Sequence, residues 1–255
     1  MGKKGGIRHL KRKPAPVVWA IERKKYTWAG KPSAGPHKTA ECITLTLSLR
    51  DILKFAETAK EAKTIVSQGK VYADGRIRRD ESYPAGLMDI IAIPEGNVFY
   101  RVLPSPKGLI LRPIAKEEAN FKLCRIEDKT TIKNGHIQLE LHDGTNLLIR
   151  AADPKNPVED TYDTLGTLKI GLQEMNVLGY AKLVKDAPIL TVGGKNVGRH
   201  GKIVEIEEST GQKRREQLVT VEDKDGNRFQ TTINFVFVVG ETEPYITLPE
   251  VKQHD

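Results

Sequence analysis

Residues 48–93, SLRDILKFAETAKEAKTIVSQGKVYADGRIRRDESYPAGLMDIIAI, decide how the first half of this chain folds. Ser48-Leu49-Arg50-Asp51 and Thr58-Ala59-Lys60-Glu61 each set a hydroxyl residue three positions before an acid, the arrangement that satisfies free N–H groups at a helix start. Two short helices are therefore predicted. Leu49, Ile52, Leu53 and Ala56 fall on one face of the first, and Ala62, Ile65 and Val66 on one face of the second before Gly69 ends it. At about 100° per residue Arg50 and Lys54 project opposite the first apolar stripe; Lys60 projects opposite the second and Lys63 flanks it. Lys70-Val71-Tyr72-Ala73 then reads as a strand, Asp74-Gly75 as a tight hairpin turn, and Arg76, Ile77, Arg78 and Arg79 as the basic return. Met88 to Ile93, bounded by Gly86 and Pro94, supplies a buried inner strand.

Cations opposite an apolar stripe are also what any solvated helix shows, so charge alone does not assign a partner. The combination Ala62-Lys63-x-Ile65-Val66-x-x-Gly69-x-Val71-x-x-Asp74-Gly75 resembles the small RNA-binding domain first named for bacterial ribosomal protein S4. That module also occurs in tyrosyl-tRNA synthetases, pseudouridine synthases and a heat-shock ribosome factor. The resemblance implies RNA binding without specifying the RNA.

The chain has 255 residues with 38% hydrophobic content, enough for two or three small domains with modest cores. Its pI near 9.3 and formal charge of +8 point to an anionic partner. Residues 1–40 carry 11 Lys and Arg against the single acid Glu22, a net of +10, which leaves −2 for the other 215 residues. The basicity is thus an N-terminal arm. Cys42 and Cys124 have no C-x-x-C partner and read as reduced thiols, with no zinc site or disulfide framework indicated. No 18-residue apolar run occurs, and the opening Met1-Gly2-Lys3-Lys4 lacks an apolar h-region, so a soluble, unsecreted protein without membrane association is expected.

A basic terminal block is commonly a disordered tail. Here cations alternate with Trp19, Tyr26 and Trp28, whose faces can stack on bases, and with Pro14, Pro16, Pro32 and Pro36, which stiffen the path. Such a segment is expected to order when threaded along folded RNA rather than alone. His9-Leu10-Lys11-Arg12, Ala15-Pro16, Trp19, Pro32-Ser33-x-Gly35-Pro36-His37-Lys38 and Glu41-Cys42 resemble the N-terminal signature of the archaeal and eukaryotic S4e family of small-subunit ribosomal proteins.

Downstream, Val98 to Val102, Leu109 to Ile114, Phe121 to Ile126 and His136 to Leu141 are β-rich runs separated by turn signals, predicting antiparallel sheet. Glu117 to Asn120 reads as a helical turn and Asp153 to Pro157 as a loop. His136 and His142 fall on one strand face and read as strand surface, since a metal would need further ligands from elsewhere. From Met175 onward, Tyr180 to Val184, Ile189 to Val192, Ile203 to Ile206, Leu218 to Val221 and Phe235 to Val239 have the spacing of a small antiparallel barrel. Gly198-x-x-Gly201-Lys202-Ile203-Val204-Glu205-Ile206 resembles a KOW motif, which implies an SH3-like barrel with Gly201 as its characteristic glycine.

Enzyme signatures are missing from the sequence. There is no Gly-x-Gly, no Gly-x-Ser-x-Gly and no His-Glu-x-x-His; Asn196 and Ile203 break the P-loop spacing around Gly201-Lys202. A pseudouridine synthase needs an aspartate after Gly-Arg-x, and Gly75-Arg76-Ile77 is followed by Arg78.

The expected architecture is α+β and multidomain. It comprises a basic rRNA-binding extension (1–41), an S4-like module (42–93), a central β-rich domain (94–172), a KOW SH3-like barrel (173–240) and a tail (241–255). What the resemblance implies is a structural constituent of the small ribosomal subunit, cytoplasmic within the ribosome, with small-subunit rRNA and neighbouring ribosomal proteins as partners. No cofactor, metal, catalytic residue, membrane or small-molecule substrate is expected. The rRNA-binding residues so implied are Lys3, Lys4, Arg8, His9, Lys11, Arg12, Lys13, Trp19, Arg23, Lys24, Lys25, Trp28, Lys31, His37 and Lys38 in the arm. Arg50, Lys54, Lys60, Lys63, Lys70, Arg76, Arg78 and Arg79 follow in the module, and Lys195, Arg199, His200 and Lys202 in the later glycine-rich loop. A KOW-bearing factor that visits RNA transiently, and more remotely an RNA-modifying enzyme, are the alternatives.

Overall fold

A computed structural model describes residues 9–151, 161–207 and 214–248. The loop expected at Asp153 to Pro157 lies outside the described residues. The chain divides into two compact units, one running to Leu103 and including Lys107–Ala119, the other made of Pro104–Pro106 and the chain from Asn120.

The first unit opens with a small hairpin, β1 (Leu10–Lys11) and β2 (Trp28–Ala29). β3 (Cys42–Thr44) runs straight into α1 (Leu45–Leu47), which continues as a π-helical turn over Ser48–Ile52. α2 (Ala59–Ser67), β4 (Tyr72–Ala73), β5 (Arg76–Ile77), β6 (Pro84–Gly86), β7 (Ile90–Ile93), β8 (Val98–Ser105) and β9 (Gly108–Pro113) follow. β3 pairs with β6, and the others form a sheet of order β5-β4-β7-β8-β9.

The second helix is as read from the sequence. Thr58 and Glu61 form a reciprocal capping box, and Ala62 and Val66 are buried. Asp74 and Gly75 take φ of +51° and +73°, the left-handed pair that a two-residue type I′ hairpin demands. The first helix differs. Ser48 is not its cap: Thr44 Oγ1 accepts from Leu47 N at 3.3 Å, and Ser48 Oγ donates back to Thr44 O at 3.1 Å. Because β3 enters the helix without an intervening turn, every residue from Cys42 to Leu49 is buried. The segment is surrounded by core rather than amphipathic, and the stripe read from Leu49 to Ala56 is broken at Lys54, whose φ is +58°.

The arm also departs from expectation. From His9 onward it is folded against the module, with Ala15 and Trp19 in the same core as Leu45, Leu47, Val66 and Ile91. Trp19, 2% exposed, donates its indole N–H to Cys42 O. Arg12, 1% exposed, donates to Glu22 O at 2.6 Å and pairs with Asp51 at 3.1 Å. The Arg23 guanidinium donates to the carbonyls of Lys13, Ala15 and Pro16 at 3.2, 2.7 and 2.9 Å, fastening the loop between β1 and β2. His37 meets the fully buried Asp89 at 3.0 Å, and Asp89 also accepts from Gly86 N at 2.8 Å. Sequence reading missed this because the arm's apolar residues have no helical or strand period; the module supplies the surface that buries them.

The sheet of the first unit crosses the boundary expected at 93/94, since β7 pairs with β8 from Ile90↔Arg101 to Ile93↔Val98. In the second unit β10 (Phe121–Thr131), β11 (Ile137–Leu141), β12 (Asn146–Ile149), β13 (Thr167–Gly171) and β14 (Val177–Ala181) form a sheet of order β12-β11-β10-β13-β14. The helical turn expected near Glu117 is a 3-10 turn at Glu118–Asn120. β14 pairs with β13, so Tyr180 belongs to this sheet and not to the one that follows, and the boundary expected at 172/173 falls inside a hairpin. β15 (Pro188–Thr191), β16 (His200–Ile206), β17 (Leu218–Glu222), β18 (Arg228–Thr232) and β19 (Val236–Val238) form a second antiparallel sheet of order β18-β17-β16-β15-β19. β18 was not anticipated, since Arg228-Phe229-Gln230-Thr231-Thr232 alternates with only one large apolar residue.

A charged pair is buried where β10 meets the turn between β11 and β12: Lys122 Nζ lies 2.9 Å from Asp143 Oδ2. Burial alone would raise the Asp143 carboxyl, but the charges of Lys122 and His142, with hydrogen bonds from Lys122 and Thr145 N, hold it down at about 2. The unfolded chain therefore binds the extra proton first as pH falls. The pair's contribution, roughly 2 kcal/mol, is present above about pH 4 and is lost as pH drops through 2.

Two outcomes follow from this packing. Trp19→Ala lowers unfolding free energy by about 3–5 kcal/mol, whereas Trp28→Ala, at an exposed site, changes it by under about 1 kcal/mol; urea denaturation distinguishes them. Asp143→Asn lowers stability by roughly 2 kcal/mol at pH 7, and its curve converges on that of the unsubstituted protein as urea midpoints are followed down to pH 2.

Candidate nucleic-acid interface

The structure sorts the sequence-derived residues into three groups. Lys3, Lys4 and Arg8 lie outside the described residues. Arg12, Trp19 and His200 are buried, and His37, its ring 4% exposed, is held by Asp89. These four are corrections. A cation already bonded to Asp51 and Glu22 O, an indole spent on Cys42 O, and rings inside the fold are not available to phosphates or bases; they hold the fold instead.

The others reach solvent to different degrees. His9, Lys11, Lys13, Lys24, Lys25, Trp28, Lys31 and Lys38 on the arm are exposed, as are Lys54, Lys60, Lys63, Arg76 and Arg79 on the module. Several are matched by acids: Lys25 with Glu22 at 3.3 Å, Lys63 with Glu81 at 3.1 Å, Lys70 with Glu95 at 2.9 Å and Arg50 with Asp51 at 2.6 Å. The lysine pairs are on the surface, where such pairs are weak and can be exchanged for phosphate at little cost; Arg50–Asp51 is largely buried and shares its carboxylate with Arg12. Arg23 is committed to arm carbonyls, and the half-buried Arg78 stacks over Tyr83 at 4.3 Å. The hairpin β4–β5 thus projects Arg76 and Arg79 beyond Arg78.

Tyr26 was left out of the sequence-derived set although it sits among cations. Its ring is 51% exposed, with Arg12, Arg50 and Lys25 at 5.0, 5.8 and 5.9 Å from its centroid. Asp51, beneath it, pairs with both Arg12 and Arg50 and so connects the arm to the first helix.

In the second unit, Lys195 and Lys202 are exposed and Arg199 lies over Phe229 at 5.4 Å. The loop before β16 is closed by Gly198 N donating to Thr191 O at 2.8 Å. Gly201 faces the backbone of β17, where an added Cβ would stand 2.2 Å from Glu222 O, so only glycine permits this approach of the two strands.

Cys124, His142 and Asp143 bring ligand atoms within 4.8 Å of one another. The Lys122 ammonium already occupies the carboxylate, so the charge that would attract a cation is matched from within the fold. His142 is not the strand-surface residue expected: Nδ1 accepts from Arg125 N at 3.3 Å and the ring packs edge-on to Phe237 at 5.4 Å. His136 Nδ1 likewise accepts from Ala151 N at 3.2 Å. Cys42 is chemically quiet, since burial, with Asp89 and Glu41 nearby, pushes its thiol up to about 12.

Three family descriptions match the chain: the RS4NT domain over residues 4–40, the S4 domain over 51–91 and the ribosomal family S4e over 96–177. The chain is 52% identical over 251 residues to small ribosomal subunit protein eS4 of Staphylothermus marinus, covering 98% of this chain and 99% of that one. It is 46% identical over 252 residues to the eS4 protein of Methanocaldococcus jannaschii, covering 97% and 100%. The crystal structure of 30S ribosomal protein S4e from Thermoplasma acidophilum superposes with a TM-score of 0.64 at 26% identity, over 79% of this chain and 96% of that one. With more than half of its residues identical to a relative along nearly its whole length, the chain belongs to the S4e family of small ribosomal subunit proteins.

Proposed function

We propose that the chain is a structural constituent of the small ribosomal subunit that binds and stabilises small-subunit rRNA. The observation that carries this reading is its near full-length similarity to eS4 proteins. The fold agrees with it, because the arm's exposed cations are held on the S4 module instead of trailing from it.

The division of labour follows from charge and rigidity. Lys11, Lys13, Lys24, Lys31 and Lys38 neutralise phosphates from a folded support. Lys54, Lys60, Arg76 and Arg79 read the backbone of an RNA helix by shape, as contacts to phosphate and sugar fix position without reading sequence. We read the five-stranded sheet β18-β17-β16-β15-β19 as the SH3-like KOW barrel that the motif at Gly198 to Ile206 implies, a reading supported by the close strand contact at Gly201, with Lys195, Arg199 and Lys202 as a second foothold. Neighbouring small-subunit proteins are its further partners, and it works in the cytoplasm within the ribosome. Its role requires no catalytic residue and no cofactor.

If about eight cations meet phosphates, the affinity for rRNA falls with salt at a log–log slope on the order of −6. Replacing Arg76 and Arg79 with Gln reduces the magnitude of that slope by about 1–2. Co-sedimentation tests the role itself. Near one copy per small subunit should survive a moderate salt wash; loss of the protein, or recovery far below one copy, fits a transient factor and sinks the structural reading.

A further inference from the structure

The β1–β2 hairpin leaves two aromatic rings in the open. Trp28 is 55% exposed and Tyr26 51%, while the chain's other tryptophan, Trp19, is sealed in the core. Trp28 faces Lys11 in the β1–β2 register, with Lys11 Nζ 5.9 Å from its ring centroid and the His9 ring 5.6 Å away, tilted by 58°. Tyr26 lies among Arg12, Lys25 and Arg50. The hairpin thus sets cations beside each of its two exposed rings. Its backbone is fixed from below by the buried Arg12, whose N–H also donates to Thr27 O at 3.0 Å, so the surface needs no ordering before it binds.

Large apolar faces held in water serve a partner with π surface of its own. A paired, stacked helix hides its base faces, and its phosphates need only the cations; an unpaired nucleotide offers both a face and a phosphate. A protein neighbour fits less well, because a rim dense in lysine is depleted at protein–protein contacts. We propose that Trp28 and Tyr26 form a stacking platform for unpaired RNA nucleotides, with Lys11 and Lys25 meeting the adjoining phosphates. This rests on the rRNA-binding reading and adds the class of RNA that the hairpin takes. Trp19, expected from sequence to stack on bases, anchors the platform from behind.

The intrinsic fluorescence of the full chain tests it, since the buried Trp19 gives a background that base stacking does not reach. Titration with single-stranded oligoadenylate at low salt should quench the emission, and an A-form duplex of the same length should not. Trp28→Phe, which keeps a ring but no indole, should abolish the quench. Trp28→Ala combined with Tyr26→Ala should weaken single-strand binding roughly tenfold or more while duplex binding stays within about twofold. Unchanged urea midpoints confirm that the variants fold. Binding of both RNAs with no loss of single-strand preference in the double variant overturns the platform and leaves the rRNA role standing. Failure to bind either RNA overturns both. Quenching by small-subunit proteins and not by RNA overturns it in favour of a protein contact.

Discussion

The buried contact of Arg12 with Asp51 and the Glu22 carbonyl is the interaction on which the first unit depends. An arginine removed from water is costly unless its donors are met, and these two acceptors come from different places: one from the arm itself, one from the first helix. Meeting both terminal nitrogens of the guanidinium therefore requires the arm to lie on the module. Trp19 makes the same demand by a different route, since its indole N–H finds an acceptor only at Cys42, the first residue of β3. Together they turn a strongly basic segment into a supported surface.

That support changes what the charge can do. On a free tail, cations reach phosphate only after the chain gives up its conformational freedom. On the hairpin and the loop fastened by Arg23, their positions are set before RNA arrives, and affinity is not lost to ordering. The arm thus combines electrostatic reach with the geometry of a folded domain, and the three residues withdrawn from its surface, Arg12, Trp19 and His37, are what hold the rest in place.

The second unit uses different means to keep polar groups inside. Lys122 and Asp143 face one another where β10 meets the turn between β11 and β12, while Arg125 carries Glu127 on one side of its guanidinium and donates to the carbonyls of Asn234 and Val236 on the other. Arg125 thereby ties β10 to the turn entering β19. At Gly201 the constraint is purely steric, since β17 approaches too closely for any side chain.

Local chemistry was legible in the sequence wherever a few neighbouring residues settle it. The Thr58–Glu61 cap, the Asp74-Gly75 turn, most strand positions and the family resemblance all depend on short-range pattern, because capping, left-handed turns and period-two alternation are satisfied within the segment that displays them. Ser48 was misread because the competing hydroxyl at Thr44 wins only when β3 feeds directly into the helix. The fates of Arg12, Trp19, His37 and His142 lay beyond the sequence for a shared reason: each finds its partner 10 to 95 positions away, through burial that only the packed chain creates. Sequence determined that this protein is basic, RNA-directed and built from an S4-like module with β-rich continuation. Tertiary structure decided which of its cations and rings face outward, because exposure is a property of packing and not of residue type.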